Sequence, residues 1–222
     1  MKYVNRFLQK VVELFRSVRQ HIEKALAIWL HKDYKYGSSL SPGSIRVLGL
    51  LPGKIRDPIR CTLQTRILDE AEDSYEAISY CWGLEPELVT IFCDSRCLSI
   101  SRNLFDALCQ LRDPKRLRYL WADAICINQR DEIEKGHQVK RMGSVYEKAS
   151  RVIAWLGRDD DSLADDCFAL IRETVDYLDE QYVSSGHGYF APLDRASCPT
   201  STNQKRWDGV RVFLNMSWFE RA

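Results

Sequence analysis

The apolar and polar positions divide the chain into segments of changing period. Between residues 4 and 31, Phe7, Val11, Leu14, Phe15, Val18, Ile22, Leu26 and Trp29 recur at three- and four-residue steps, which predicts an amphipathic helix. Tyr36–Ser44 (YGSSLSPGS) is rich in Gly, Ser and Pro and predicts a linker. Short strand patterns follow at Ile45–Leu51, Ile59–Ile67, Tyr75–Tyr80, Val89–Cys93 and Cys97–Ile100, the last two forming a hairpin that turns at Asp94-Ser95. Asn103–Arg112 sets Leu104, Leu108 and Leu111 on one helical face, with Ser101 as a cap.

Beyond this point strands alternate with helices. Leu117–Ile125 reads as a strand, and Glu132–Ser150 as a helix with Val139, Met142, Tyr146 and Ala149 on one face. Arg151–Leu156 (RVIAWL) reads as a continuous apolar strand, and Asp165–Tyr182 as a helix with Phe168, Ile171, Val175 and Leu178 inward. Ser184–Lys205 lacks any period and reads as a long loop, followed by a helix at about Trp207–Leu214. Such alternation predicts an α/β fold: a parallel sheet flanked by helices, with extra N-terminal β-strands and a hairpin. The expected organisation is an amphipathic helix over 1–35, a linker over 36–44 and one domain over 45–222.

Charge and composition narrow the function classes. A net charge of +1 gives no electrostatic argument for nucleic acid. No apolar run approaches the roughly 20 residues that span a bilayer. The polar face of the N-terminal pattern is mostly basic (Lys2, Arg6, Lys10, Arg16, Arg19, Lys24), which allows two readings. One is contact with a membrane surface or mitochondrial targeting; the other is packing on the domain or pairing with another protein. The eight cysteines are scattered, without CxxC, and read as buried thiols rather than as a metal site or disulfide framework. That usage implies a reducing, cytoplasmic setting and no required cofactor.

Candidate chemistry collects where strands end. In an open parallel sheet, ligands bind in the crevice beyond the carboxyl ends of the strands. Tyr75–Tyr80 runs into Cys81-Trp82-Gly83, Leu117–Ile125 into Asn128-Gln129, and Arg151–Leu156 into Gly157-Arg158-Asp159. Asp123 interrupts a strand expected to be buried, so it needs a partner such as an arginine or a backbone amide. Asp131 and Glu134 fit a capping box, and Asn128 and Gln129 also fit a role of satisfying turn amides. Cys81 beside Trp82 superficially resembles the nucleophile region of a thiol hydrolase. That mechanism needs a histidine, and neither His137 nor His187 stands in a recognisable context.

Three blocks, YEAISYCWG (Tyr75–Gly83), LWADAICINQRDEIEKGHQVKRMGSVYEKASRVIAWLG (Leu120–Gly157) and the closing SWFERA, resemble the fungal heterokaryon incompatibility (HET) domain. The resemblance covers about Ile45–Ala222. It implies an intracellular domain that triggers cell death when genetically different strains fuse, and a distant similarity to flavodoxin-like TIR domains. On that comparison Tyr75–Tyr80, Leu117–Ile125 and Arg151–Leu156 are the first three strands of the sheet. Some TIR domains self-associate and cleave the nicotinamide–ribose bond of NAD with a glutamate. Its counterpart is expected beyond Ala222, so the catalytic role is not carried onto Glu220, and the domain is expected to be C-terminally truncated here.

Two hypotheses follow. The first is a signalling module that acts by self-association or by binding another protein. The second is an NAD glycohydrolase, with NAD as substrate and Asp123, Glu134 and Asp159 as the available carboxylates. In the crevice, Tyr80 or Trp82 would stack a base or nicotinamide, Gly83 would shape the turn, and Asn128 and Gln129 would hydrogen-bond ribose.

Overall fold

A computed structural model describes residues 32–83, 87–159, 162–185, 204–216 and 218–219. The helical pattern read over residues 4–31 and most of the loop read over Ser184–Lys205 lie outside the described residues. The chain forms two compact units, residues 1–154 and 155–222.

The first unit is built on strands β1 (Ser44–Leu50), β2 (Arg60–Ile67), β3 (Glu76–Tyr80), β4 (Leu88–Cys93), β5 (Arg96–Ser101), β6 (Arg118–Trp121) and β7 (Arg151–Trp155). Its helices are α1 (Arg102–Leu111), the single turn α2 (Asp123–Cys126) and α3 (Glu132–Glu147). The seven strands form one sheet in the order β5-β4-β2-β1-β6-β3-β7. The α/β class and the hairpin agree with the sequence reading, but the sheet is mixed. β1 runs antiparallel to both β2 and β6, whereas β3 is parallel to β6 and β2 to β4.

β1 explains why. All seven of its residues are buried, because it is paired along both edges. At Gly49 the neighbouring strand comes so close that a Cβ would stand 2.8 Å from Thr62 Oγ1. The β4–β5 hairpin turns where expected. Asp94 and Ser95 both have positive φ, 47° and 60°, which suits the right-handed twist of the flanking strands. Ser101 caps α1 by accepting from Leu104 N.

Several boundaries and faces differ from the sequence reading. The strand expected over Leu117–Ile125 stops at Trp121, and Asp123 opens a helical turn instead of interrupting a ladder. The buried face of α3 is Glu134, Gln138 and Val145, while Val139 is exposed. Hydrophobic periodicity misplaces this face because an ion pair, described below, lets a carboxylate point inward. β7 is largely exposed rather than buried, consistent with its place at the end of the strand order.

Three arginines organise the surroundings. Arg112, buried at the end of α1, donates to the carbonyls of Lys54, Asp57 and Pro58 and so holds the loop between β1 and β2. Glu76 on β3 accepts from Arg118 on β6 and from Arg151 on β7, a carboxylate bridging three adjacent strands.

The second unit contains α4 (Ala164–Ser185) and α5 (Gln204–Leu214). Cys167 and Leu170 of α4 pack with Val210 and Phe213 of α5, joined by Leu156, Trp207 and Phe219. The most buried residues of α4 are Cys167, Leu170 and Tyr177; of the line read as inward, Ile171 packs on this cluster and Phe168 meets Phe213 edge-on, while Val175 is about half exposed. Arg206 binds Glu173 through two hydrogen bonds of 2.9 and 3.0 Å. Asp159 accepts from Leu163 N and Ala164 N, closing the start of α4. Among the described residues no helix is long and apolar enough to cross a membrane.

Candidate functional site at two parallel strand ends

β3 and β6 are parallel, with Glu76 opposite Leu120 and Ala77 opposite Trp121, so their carboxyl ends leave the same edge of the sheet. After Tyr80 the chain passes through Cys81 and Trp82 to Gly83, whose φ of +80° is a left-handed turn that favours glycine. After Trp121 it enters α2. The two exits meet: Trp82 Nε1 donates to Asp123 Oδ1 and Oδ2 at 3.1 and 3.0 Å. Asp123 Oδ1 also accepts from Ala124 N at 2.8 Å. The carboxylate therefore has the amide partner the sequence reading required, and an indole in place of an arginine.

The neighbouring groups fix this geometry. Asn103, in the first turn of α1, donates through Nδ2 to the Cys81 carbonyl at 2.8 Å. Gln129 donates through Nε2 to the Asp123 carbonyl at 2.9 Å. Asn128 Oδ1 accepts from Arg130 N. Tyr80 is buried, with its hydroxyl turned toward the Asp123 carboxylate. Burial, and then the charge of Asp123, pushes that phenol far above its ordinary pKa, so it stays protonated and able to donate. The Trp82 ring is 40% exposed beside the Asp123 carboxylate.

A second polar cluster lies inside the unit, one turn further along. Arg46, the single charged residue of β1, donates to Glu134 Oε1 at 2.5 Å and to Oε2 at 3.0 Å. The two side chains are only 6% and 3% exposed. Asn128 N also donates to Glu134 Oε1, at 2.8 Å, and Arg46 Nη1 reaches the Cys126 carbonyl. Tyr36 covers the guanidinium with its ring centroid 4.9 Å away and donates its hydroxyl to the Ile125 carbonyl at 2.8 Å. Burial opposes the charge on Glu134. The hydrogen bonds from Arg46 and Asn128 N, with the Arg46 charge, prevail and hold the carboxyl below its ordinary range.

The structure thus brings Tyr80, Trp82, Gly83, Asp123 and Gln129 together at the strand ends. It separates Glu134, which is held as an enclosed, neutralised anion, and Asn128, whose backbone amide binds Glu134. Asp131 caps α3 by accepting from Ile133 N and Glu134 N, but Glu134 turns to Arg46 instead of completing the capping box. Arg46, Tyr36, Asn103 and Gln138, whose Nε2 donates to the Ser44 carbonyl, escaped the sequence reading. The available signal was Arg46 itself, a lone charge inside an apolar strand, which demands a buried partner. Among the described residues no cluster of His, Cys, Asp or Glu is arranged to hold a metal ion.

Chemically, the crevice offers an aromatic face, a fixed carboxylate acceptor and a buried phenol donor. That set suits a planar ring bearing hydroxyl or amine donors.

Comparison with known proteins places these residues in context. Residues 75–222 match the family described as Heterokaryon incompatibility protein (HET). The chain is also 33% identical over 167 residues to Heterokaryon incompatibility protein 6, OR allele, of Neurospora crassa. That alignment covers 68% of this chain and 24% of the relative, so the chain spans about a quarter of the relative's length. No solved structure matches the chain significantly.

Proposed function

Since the chain belongs to the heterokaryon incompatibility family, we propose that it is the signalling domain of a fungal non-self recognition protein, coupling recognition to programmed cell death through self-association. Family membership is the observation that carries this reading. The cytoplasm is the compartment it requires, and the basic pattern over residues 4–31 supplies a further contact for protein or a membrane surface. Inducible expression in a fungal host tests the reading. Expression should reduce viability, and Trp82→Ala or Asp123→Ala should restore it. Full viability with the unaltered protein at comparable levels would count against a death function. Deleting residues 1–32 tests the N-terminal contribution separately.

A second reading is favoured by one specific arrangement. β3 lies between β6 and β7, so the three strands follow the order 2-1-3 of flavodoxin-like sheets, and the Trp82–Asp123 pair sits at the carboxyl edge where such sheets bind nucleotides. This supports a TIR-like NAD glycohydrolase. Trp82 would stack the nicotinamide or adenine, and Asp123 would accept from ribose hydroxyls. On this reading Asp123, rather than the ion-paired Glu134, would stabilise an oxocarbenium-like transition state. Purified protein incubated with NAD should release nicotinamide, detectable by chromatography. No release from this chain, nor from a longer protein containing it, would remove the enzymatic reading.

A further inference from the structure

Along one side of α3, Ile133, His137, Lys140 and Arg141 form a wall facing Leu40 and Pro42 across a groove of about 600 Å³. Glu134 and Gln138 contribute to its lining, but both are buried and bound, Glu134 to Arg46 and Gln138 to the Ser44 carbonyl. The groove's one carboxylate is therefore neutralised, and its open wall carries cationic groups beside an apolar anchor, Ile133, that is 75% exposed.

The matching surface occurs on the same chain. A flank of α4 leaves Val175 about half exposed and, two helical turns earlier, Phe168, whose ring packs edge-on against Phe213 but keeps about half its surface open. Asp165, Asp176 and Asp179 flank them on that face, with Arg172 as its one cation. Each surface has an apolar centre, and their charges are opposite. The other unassigned segment, residues 1–31, is basic on its polar face and has the wrong sign for the groove.

We propose that the α3 groove of one molecule receives the acidic outer face of α4 from a second copy. This rests on the self-association reading above and specifies the surfaces that mediate it. The two patches differ, so the contact is heterologous: each molecule retains a free groove and a free α4, and assembly continues beyond a dimer unless a ring closes. Charge complementarity makes the contact salt-sensitive.

Sedimentation velocity of the whole chain over a concentration series tests this. The parent should sediment faster as concentration rises, and high salt should weaken assembly about tenfold or more. Lys140→Ser with Arg141→Ser, and separately Asp176→Asn with Asp179→Asn, should each remain monomeric. Unchanged circular dichroism and melting would show that these surface variants fold. An equimolar mixture of the two variants should form a one-to-one complex and stop there, because only one intact groove meets one intact α4. A parent that assembles while both variants assemble equally overturns these surfaces and leaves self-association standing. A mixture that stays monomeric also overturns them. A parent that remains monomeric throughout removes the self-association reading as well.

Discussion

Trp82 Nε1 reaches both carboxylate oxygens of Asp123, joining the exit of one parallel strand to the turn that follows its neighbour. Because the indole is partly exposed, this bond positions more than it stabilises. Trp82→Phe keeps the ring and removes the donor, at a cost of about 1 kcal/mol in global stability. Its larger effect should be faster amide hydrogen exchange over residues 123–127. Unchanged exchange there would show that the Ala124 amide alone fixes the carboxylate.

The Arg46–Glu134 pair carries a heavier penalty. Removing one partner leaves a buried, uncompensated charge, so Arg46→Met should destabilise the protein by about 3–5 kcal/mol in urea unfolding. Replacing both, Arg46→Met with Glu134→Leu, should cost clearly less than Arg46→Met alone. A double variant no more stable than the single one would mean that the hydrogen bonds to Asn128 N and the Cys126 carbonyl dominate the cluster.

The same carboxylate sets an acid limit. Glu134 is held below its ordinary value of 4.5 in the folded state. The unfolded chain therefore takes up its proton first, and the stabilisation is complete above that value and lost as pH falls through the folded pKa. Glu76 is held low in the same sense: burial works against its charge, and its hydrogen bonds to Arg118 and Arg151 prevail. Unfolding free energy should thus decline as pH falls below the ordinary glutamate value of 4.5. Glu134→Gln, although less stable throughout, should decline less steeply, and a parallel decline would assign the acid sensitivity elsewhere.

Arg112 holds the loop between β1 and β2 through three carbonyls. Lysine has the charge but not the planar fork, so Arg112→Lys should cost about 2 kcal/mol and increase proteolytic cleavage near Ile55. Resistance equal to the parent's would show that the loop is held by its own turn bonds.

At the β4–β5 turn, Ser95 occupies the left-handed region with φ 60°. Ser95→Gly, giving the Asp-Gly pair such turns favour, should raise stability by about 0.5–1 kcal/mol, read as a higher melting temperature. A lower melting temperature would mean that the side chain contributes more than the strain it carries.

Much of this fold was legible because local chemistry acts alone. The Asp94-Ser95 turn, the caps at Ser101 and Asp131, and the alternation of strand and helix each depend on a few neighbouring residues. What sequence could not supply came from distant pairing. Arg46 and Glu134 lie 88 positions apart, so neither the inward polar face of α3 nor the burial of a charged strand residue follows from periodicity. The crevice was visible as polar residues after two apolar runs. The closing of Trp82 onto Asp123, and the exclusion of Glu134, required knowing that β3 and β6 lie side by side.

The position of β1 also bears on how the chain emerges during synthesis. β2 follows it closely in sequence, but its other partner, β6, begins only at Arg118. A ribosome therefore exposes one bare edge of this fully buried strand while some seventy residues are still being made, roughly several seconds at common elongation rates. During that interval the strand is an open template for another nascent chain. A chaperone, or wide spacing between ribosomes, would shield that edge, independent of how stable the finished sheet becomes.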